Sequence, residues 1–173
     1  MYTFILIVED RARPDDAGCF LRPLTRHPIA EHDGRFCIVG ERGAEDGWMA
    51  ITRQDAIRAD FDDEELRAIS DQLDTPAFYL VESRDRKTNF ATGFIEHLDD
   101  SLPALIDNNH WFIGDVATMK GLINAGVDWR YYSPPASMND PDRVPQQPCL
   151  PIAICLHYDE RNDQCRPTTT HCA

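Results

Sequence analysis

Residues 107–115, Asp-Asn-Asn-His-Trp-Phe-Ile-Gly-Asp, bring five polar side chains into nine positions: Asp107, Asn108, Asn109, His110 and Asp115. Residues of these types can do two kinds of chemistry. His110 could act as a general base oriented by Asp107, or imidazole and carboxylates could ligate a metal. Simpler local work would occupy most of the same residues. Asn tolerates the left-handed backbone that a two-residue type I′ hairpin turn requires at both central positions, so Asn108-Asn109 fits such a turn with Asp107 flanking it. Asp115 then fits the N-cap of a following helix. Only His110 is left without a local task.

Three other groups invite a chemical reading. Glu82 ends an apolar run, where enzymes often place a carboxylate, and it is an alternative partner for His110 in a small hydrolase-like enzyme. The run Asp60-Phe-Asp-Asp-Glu-Glu65 sets five carboxylates in six residues, more than helix capping needs. Its freer members, Asp60, Asp63 and Glu64, are candidate contacts to a basic protein partner, with His110 and Trp129 next to them on the list. Finally, Cys149, Cys155, His157, Cys165, His171 and Cys172 are zinc-type ligands, but no C-x-x-C or finger spacing joins them. No metal, cofactor or catalytic residue is therefore expected. G-x-S-x-G, the Walker loop, G-x-G-x-x-G and H-E-x-x-H are all missing from the chain.

Charge narrows the partner. The 173 residues carry a net charge of −13. Residues 1–54 hold 9 acids and 7 bases, residues 55–107 hold 14 and 5, and residues 108–173 hold 7 and 5. The excess is thus concentrated in the middle third, around the acidic run. A nucleic acid would be repelled, because phosphate binding needs clustered cations, whereas a basic protein would be attracted. No 18-residue apolar run exists, so no membrane partner is expected. The opening MYTFILIVED lacks the basic start of a signal peptide and reads as a strand. Reduced thiols and a cytoplasmic location are the expectation for the six cysteines, although an even count also permits disulfides.

The elements that must position these groups follow from periodicity and punctuation. Strands are expected at 2–8, 35–40, 47–51 and 77–83, the last almost wholly apolar and so central. Residues 9–33, with three prolines, read as loop. Thr52 and Asp55 suggest a cap for a short helical turn near 53–59. Asp62 with Glu65 makes an Asp variant of the capping box, Phe61 with Leu66 a hydrophobic staple, and Leu66, Ile69 and Leu73 one apolar stripe, predicting a helix to about Leu73. A second helix is expected at about 87–98, from Phe90, Phe94 and Leu98. The runs ALID and WFIG are short strands around the Asn-Asn turn. A third helix follows Asp115, with Val116, Met119, Leu122 and Ile123 on its apolar face and Gly126 at its C′ position. Residues 1–132 thus read as one globular domain and 133–148, with five prolines, as an arm or linker. Residues 149–173 read as a cysteine-bearing segment whose 150–160 stretch could supply an edge strand. The fold class is α+β or α/β, with a mixed or antiparallel sheet of about five or six strands and three helices.

The strand FYLVES, the helix ending FIEHL and above all LIDNNHWFIGD followed by a helix and GVDWRYY resemble small acidic immunity proteins of bacterial polymorphic toxin systems. The resemblance covers residues 77–132. It implies a protein-binding inhibitor that neutralises a cognate toxin by occluding its active site, and it implies no catalytic residue. An acidic inhibitor of a basic toxin would also gain association rate from opposite charge.

Overall fold

The run Phe4-Ile-Leu-Ile-Val8 is buried at every position, on both faces of its strand, which requires cover on both sides of the sheet. The computed structural model, which describes residues 1–12 and 16–134 together with the backbone of 156–159 and 164–167, supplies that cover. Seven antiparallel strands form one open sheet: β1 (Tyr2–Glu9), β2 (Ala30–His32), β3 (Arg35–Gly40), β4 (Gly43–Arg53), β5 (Pro76–Asp85), β6 (Ala104–Asp107) and β7 (Ile113–Asp115). Their order is β2-β3-β4-β5-β1-β6-β7. The fold is α+β, with one strand more than expected. The additional strand is β2, a three-residue exposed edge inside the stretch read as loop, too short to show a period of two. As expected, β5 is central.

One face of the sheet carries Phe4, Leu6, Val8, Met49, Ile51, Tyr79, Val81 and Ile106, packed with helices α2 (Phe90–His97) and α3 (Val116–Asn124) and with Trp129. Aromatic rings dominate there. Phe4 lies edge-on to Phe94 at 5.6 Å and to Trp129 at 5.2 Å between centroids, contacts worth roughly 0.5–1.5 kcal/mol each beyond area burial. The opposite face carries Ile5, Ile7, Phe78 and Leu105 under Ile57, Phe61, Ile69 and Leu73. These come from a 3-10 segment (Asp55–Asp60) and from helix α1 (Asp63–Ser70) with the residues around it.

The helix ends obey local chemistry. Asp62 accepts from Glu64 and Glu65 N–H while the Glu65 carboxylate accepts from Asp62 N–H, a reciprocal capping box. Phe61 and Leu66 join the same apolar cluster, as a staple should. Helix α1 stops at Ser70 and not at Leu73, but Leu73 still reaches that cluster. Helix α2 begins later than expected, at Phe90, because Asn89 and Asp85 cap it: Asp85 Oδ1 accepts from Phe90 and Ala91 N–H. Asp115 caps α3 through Thr118 N–H. The α3 C-terminus is a Schellman motif, with Gly126 (φ +72°) donating to Ile123 O and Val127 to Leu122 O. One expected cap is not formed. Thr52 stays in β4 with its buried hydroxyl unbonded, and Asp55 accepts from Arg53 and from Phe78 N–H instead.

Residues 134–173 form a second unit of their own. Within it Leu156–Asp159 pairs antiparallel with Gln164–Pro167 in a two-stranded ladder. The arm at 135–148 lies outside the described residues. Among the described residues no helix is long and apolar enough to cross a membrane.

The capping box gives a direct test. Asp62→Ala removes the acceptor of two N–H groups and is expected to cost about 1 kcal/mol, whereas Asp62→Asn keeps an oxygen there and should cost less than half as much. Thermal melts of both variants decide it; equal melting points for the Ala and Asn variants would show that the cap contributes nothing.

Candidate functional site

The segment between β6 and β7 is not the two-residue turn its sequence suggests. Pairing stops at Asp107 and resumes at Ile113, leaving a five-residue loop, 108–112, closed by Asn108 N–H to Phe112 O at 3.1 Å. The positive φ values fall on Asn109 (+57°) and Trp111 (+69°), not on Asn108 and Asn109. Two successive side-chain turns shape it: Asp107 Oδ1 accepts from Asn109 N–H at 2.8 Å, and Asn108 Oδ1 accepts from His110 N–H at 2.8 Å.

Asn108 is fully buried and acts as a post. Its Nδ2 donates to Trp129 O at 2.8 Å and to Tyr132 O at 2.7 Å. Its own carbonyl accepts from the Tyr2 hydroxyl at 2.9 Å, which also lies 3.1 Å from Arg130 O. Burial pushes the Tyr2 phenol well up, so it remains a donor. Asn109 Nδ2 adds a bond to Thr3 O at 3.0 Å. The loop is thereby tied to β1 and to the 3-10 turn Trp129–Tyr131.

That turn decides which aromatic faces outward. Trp129, expected at a partner interface, is 1% exposed and belongs to the core; this corrects its place. Tyr131, two residues on, is 63% exposed and its ring lies 5.1 Å from that of His110. Trp111, which sequence reasoning assigned to a strand, stands 43% exposed at the loop tip. No motif marks it. The signal available was a large aromatic directly after the polar run Asn-Asn-His.

The acid–base pairings do not form. His110 has neither an ion pair nor a hydrogen bond to Asp107 or Glu82. Glu82 is buried and bound to Arg35 at 2.5 Å. Among the described residues Asp107 accepts only from Asn109 N–H and has no ion-pair partner. Burial, with Glu65 nearby, raises its pKa to about 6. Among the described residues no group of three or more His, Cys, Asp and Glu is placed to hold a metal. The side chains of the C-terminal Cys and His set lie outside the described residues.

The acidic run is surface. Asp60, Asp63 and Glu64 are exposed and make no ion pair among the described residues, whereas Asp16, Asp46, Asp55, Asp100 and Asp128 are each matched to an Arg or Lys. Glu65 raises the Asp107 pKa, and Leu66 shares an apolar cluster with Ile113, so the start of α1 adjoins the base of the loop. The start of α1 and Asp107, at the base of the loop, thus lie on the sheet face opposite the one that carries Trp129. No protein-family model matches the chain, and neither a curated protein nor a solved structure is detectably similar to it.

Asp107 yields a prediction with a definite sign. Its folded pKa lies above the ordinary 3.8, so the fold favours the protonated form. The stabilisation is complete below about pH 4 and is lost as pH rises through 6. Asp107→Asn should therefore be more stable than the parent by roughly 1–2 kcal/mol at about pH 7.5, a discount on the roughly 1.4 kcal/mol per pKa unit, and the gain should shrink at about pH 4.5. Urea unfolding at the two pH values measures this; an equal difference at both would contradict a desolvated carboxyl.

Proposed function

We propose that the chain is a protein-binding inhibitor of a basic protein, acting as an immunity protein that neutralises a cognate bacterial toxin by occluding its active site. The observation that supports this most is the set of exposed carboxylates at Asp60, Asp63 and Glu64, unpaired among the described residues, on a chain whose net charge is −13. A carboxylate already matched to an arginine has its field cancelled. These three do not, and they stand together at one helix start with Asp62 beside them. Their summed potential draws a cationic partner toward that face before contact and raises the association rate. Contact then covers the partner's cleft without any chemistry from the inhibitor.

The test uses Asp60→Asn, Asp63→Asn and Glu64→Gln combined. Asp62 and Glu65 are left alone because they cap α1. Losing two first-turn acids should cost at most about 1–2 kcal/mol of stability through the helix dipole. Association with the product of the neighbouring gene should slow by about tenfold at low salt and converge on the parent's rate as salt rises. Equal rates at low salt would show that these acids do no more than solvate a helix end.

A further inference from the structure

Resting on the binding role just proposed, we infer that the loop tip with Trp111, His110 and Tyr131 is the short-range contact of this face, and that it seats a lysine or arginine side chain of the basic partner. The cation would lie against the exposed indole and phenol rings, with the Asp107 carboxylate at the base of the loop as counter-charge.

Four observations converge. First, Trp111 is 43% exposed at φ +69° and belongs to neither core cluster. Folding alone would favour glycine or asparagine at such a backbone position. A large aromatic held there, in a conformation that opposes it, is not explained by packing. Second, Tyr131 is 63% exposed and paired with the half-buried His110, so the tip presents a ring surface rather than a lone side chain. Trp and Tyr are the residues that most often dominate protein interfaces, and their faces attract cations. Third, among the described residues no cation is paired with the carboxylates at the base of the tip. Asp107 has one hydrogen bond, from Asn109 N–H, and Glu65 is engaged with Asp62 N–H. The Arg130 guanidinium lies 6.0 Å from the Tyr131 ring but is held by Asp128 at 2.8 and 2.9 Å and lies 3.5 Å from Asp85. Fourth, the tip is rigid by construction, since Asn108 and Asn109 bind it to Trp129, Tyr132 and Thr3. A pre-ordered aromatic surface loses little entropy on binding. Ring faces beside uncompensated carboxylates suit a guanidinium or an ammonium on a methylene stem, and they disfavour an acidic or phosphate-bearing ligand.

The experiment is an amide and indole NMR titration of the full chain with a blocked hexa-arginine peptide at about 150 mM salt, where long-range steering is largely screened. Saturable shifts are expected at the Trp111 indole N–H and at the Asn109 and His110 amides. Trp111→Gly should weaken the peptide about three- to fivefold, the range of an exposed cation–ring contact, without lowering the melting temperature, because glycine relieves the positive φ. Trp111→Phe should restore most of the affinity. Shifts confined to residues 60–66, with Trp111→Gly binding as well as the parent, would overturn the role of the tip and leave the acidic-face reading standing. No saturable binding even at about 20 mM salt, where screening is weak, would overturn both.

Discussion

One buried amide organises the exposed face of this protein. Asn108 has no accessible surface, and each of its polar groups is engaged: backbone N–H with Phe112, carbonyl with Tyr2, Oδ1 with His110, and the two Nδ2 protons with Trp129 and Tyr132. Its orientation is dictated by its neighbours, because two carbonyls need a donor and one N–H needs an acceptor. A buried polar network satisfied in this way is specific. Any shift leaves a group unpaired in a low-dielectric setting, at a cost of about 1–3 kcal/mol. Strand β1, the β6–β7 loop and the turn at Trp129–Tyr131 are fixed to one another through this residue.

The consequences reach outward from there. With the loop held at both ends, positive φ at Asn109 and Trp111 is imposed rather than chosen. The same bonds turn Trp129 into the core, edge-on to Phe4 at 5.2 Å and to Tyr2 at 5.7 Å, and leave Tyr131 outside against His110. A division of labour on the proposed binding face follows from the physics. The α1 carboxylates act over a screening length of about 8–10 Å, and the aromatic tip acts only on contact. Attraction and fit then reside on different elements that can be altered separately.

What was legible in the sequence was what is local. The capping box of Asp62 and Glu65, the staple of Phe61 and Leu66, the Asp115 cap and the C′ Gly126 depend on residues within one or two turns, and each formed as its spacing implied. The almost unbroken apolar run of β5 correctly placed it at the centre of the sheet. What was missed depends on distance. Asn108 looked like a turn residue because its partners, Tyr2, Trp129 and Tyr132, lie 106, 21 and 24 residues away. Trp129 looked like a surface aromatic because the 3-10 turn that rotates it inward has no signature of its own. The Thr52–Asp55 cap failed because β4 continues through Thr52, and strand pairing there outweighed a helix start. His110 and Asp107 are near in sequence but unjoined, since each of Asp107 Oδ1 and Asn108 Oδ1 is taken by a backbone N–H of the loop.

The claim that Asn108 fixes the presenting loop is tested most directly by hydrogen exchange in an Asn108→Asp variant at neutral pH. The substitution keeps the shape and places an oxygen against the carbonyls of Trp129 and Tyr132. The amides of His110, Tyr131 and Tyr132 should exchange faster by at least about tenfold, the factor for a loss of about 1.4 kcal/mol within the range for an unsatisfied buried group, while the β1–β5 ladder stays protected. Unchanged exchange in both 108–112 and 129–132, or a loss confined to one of the two segments, would contradict a single post holding them together.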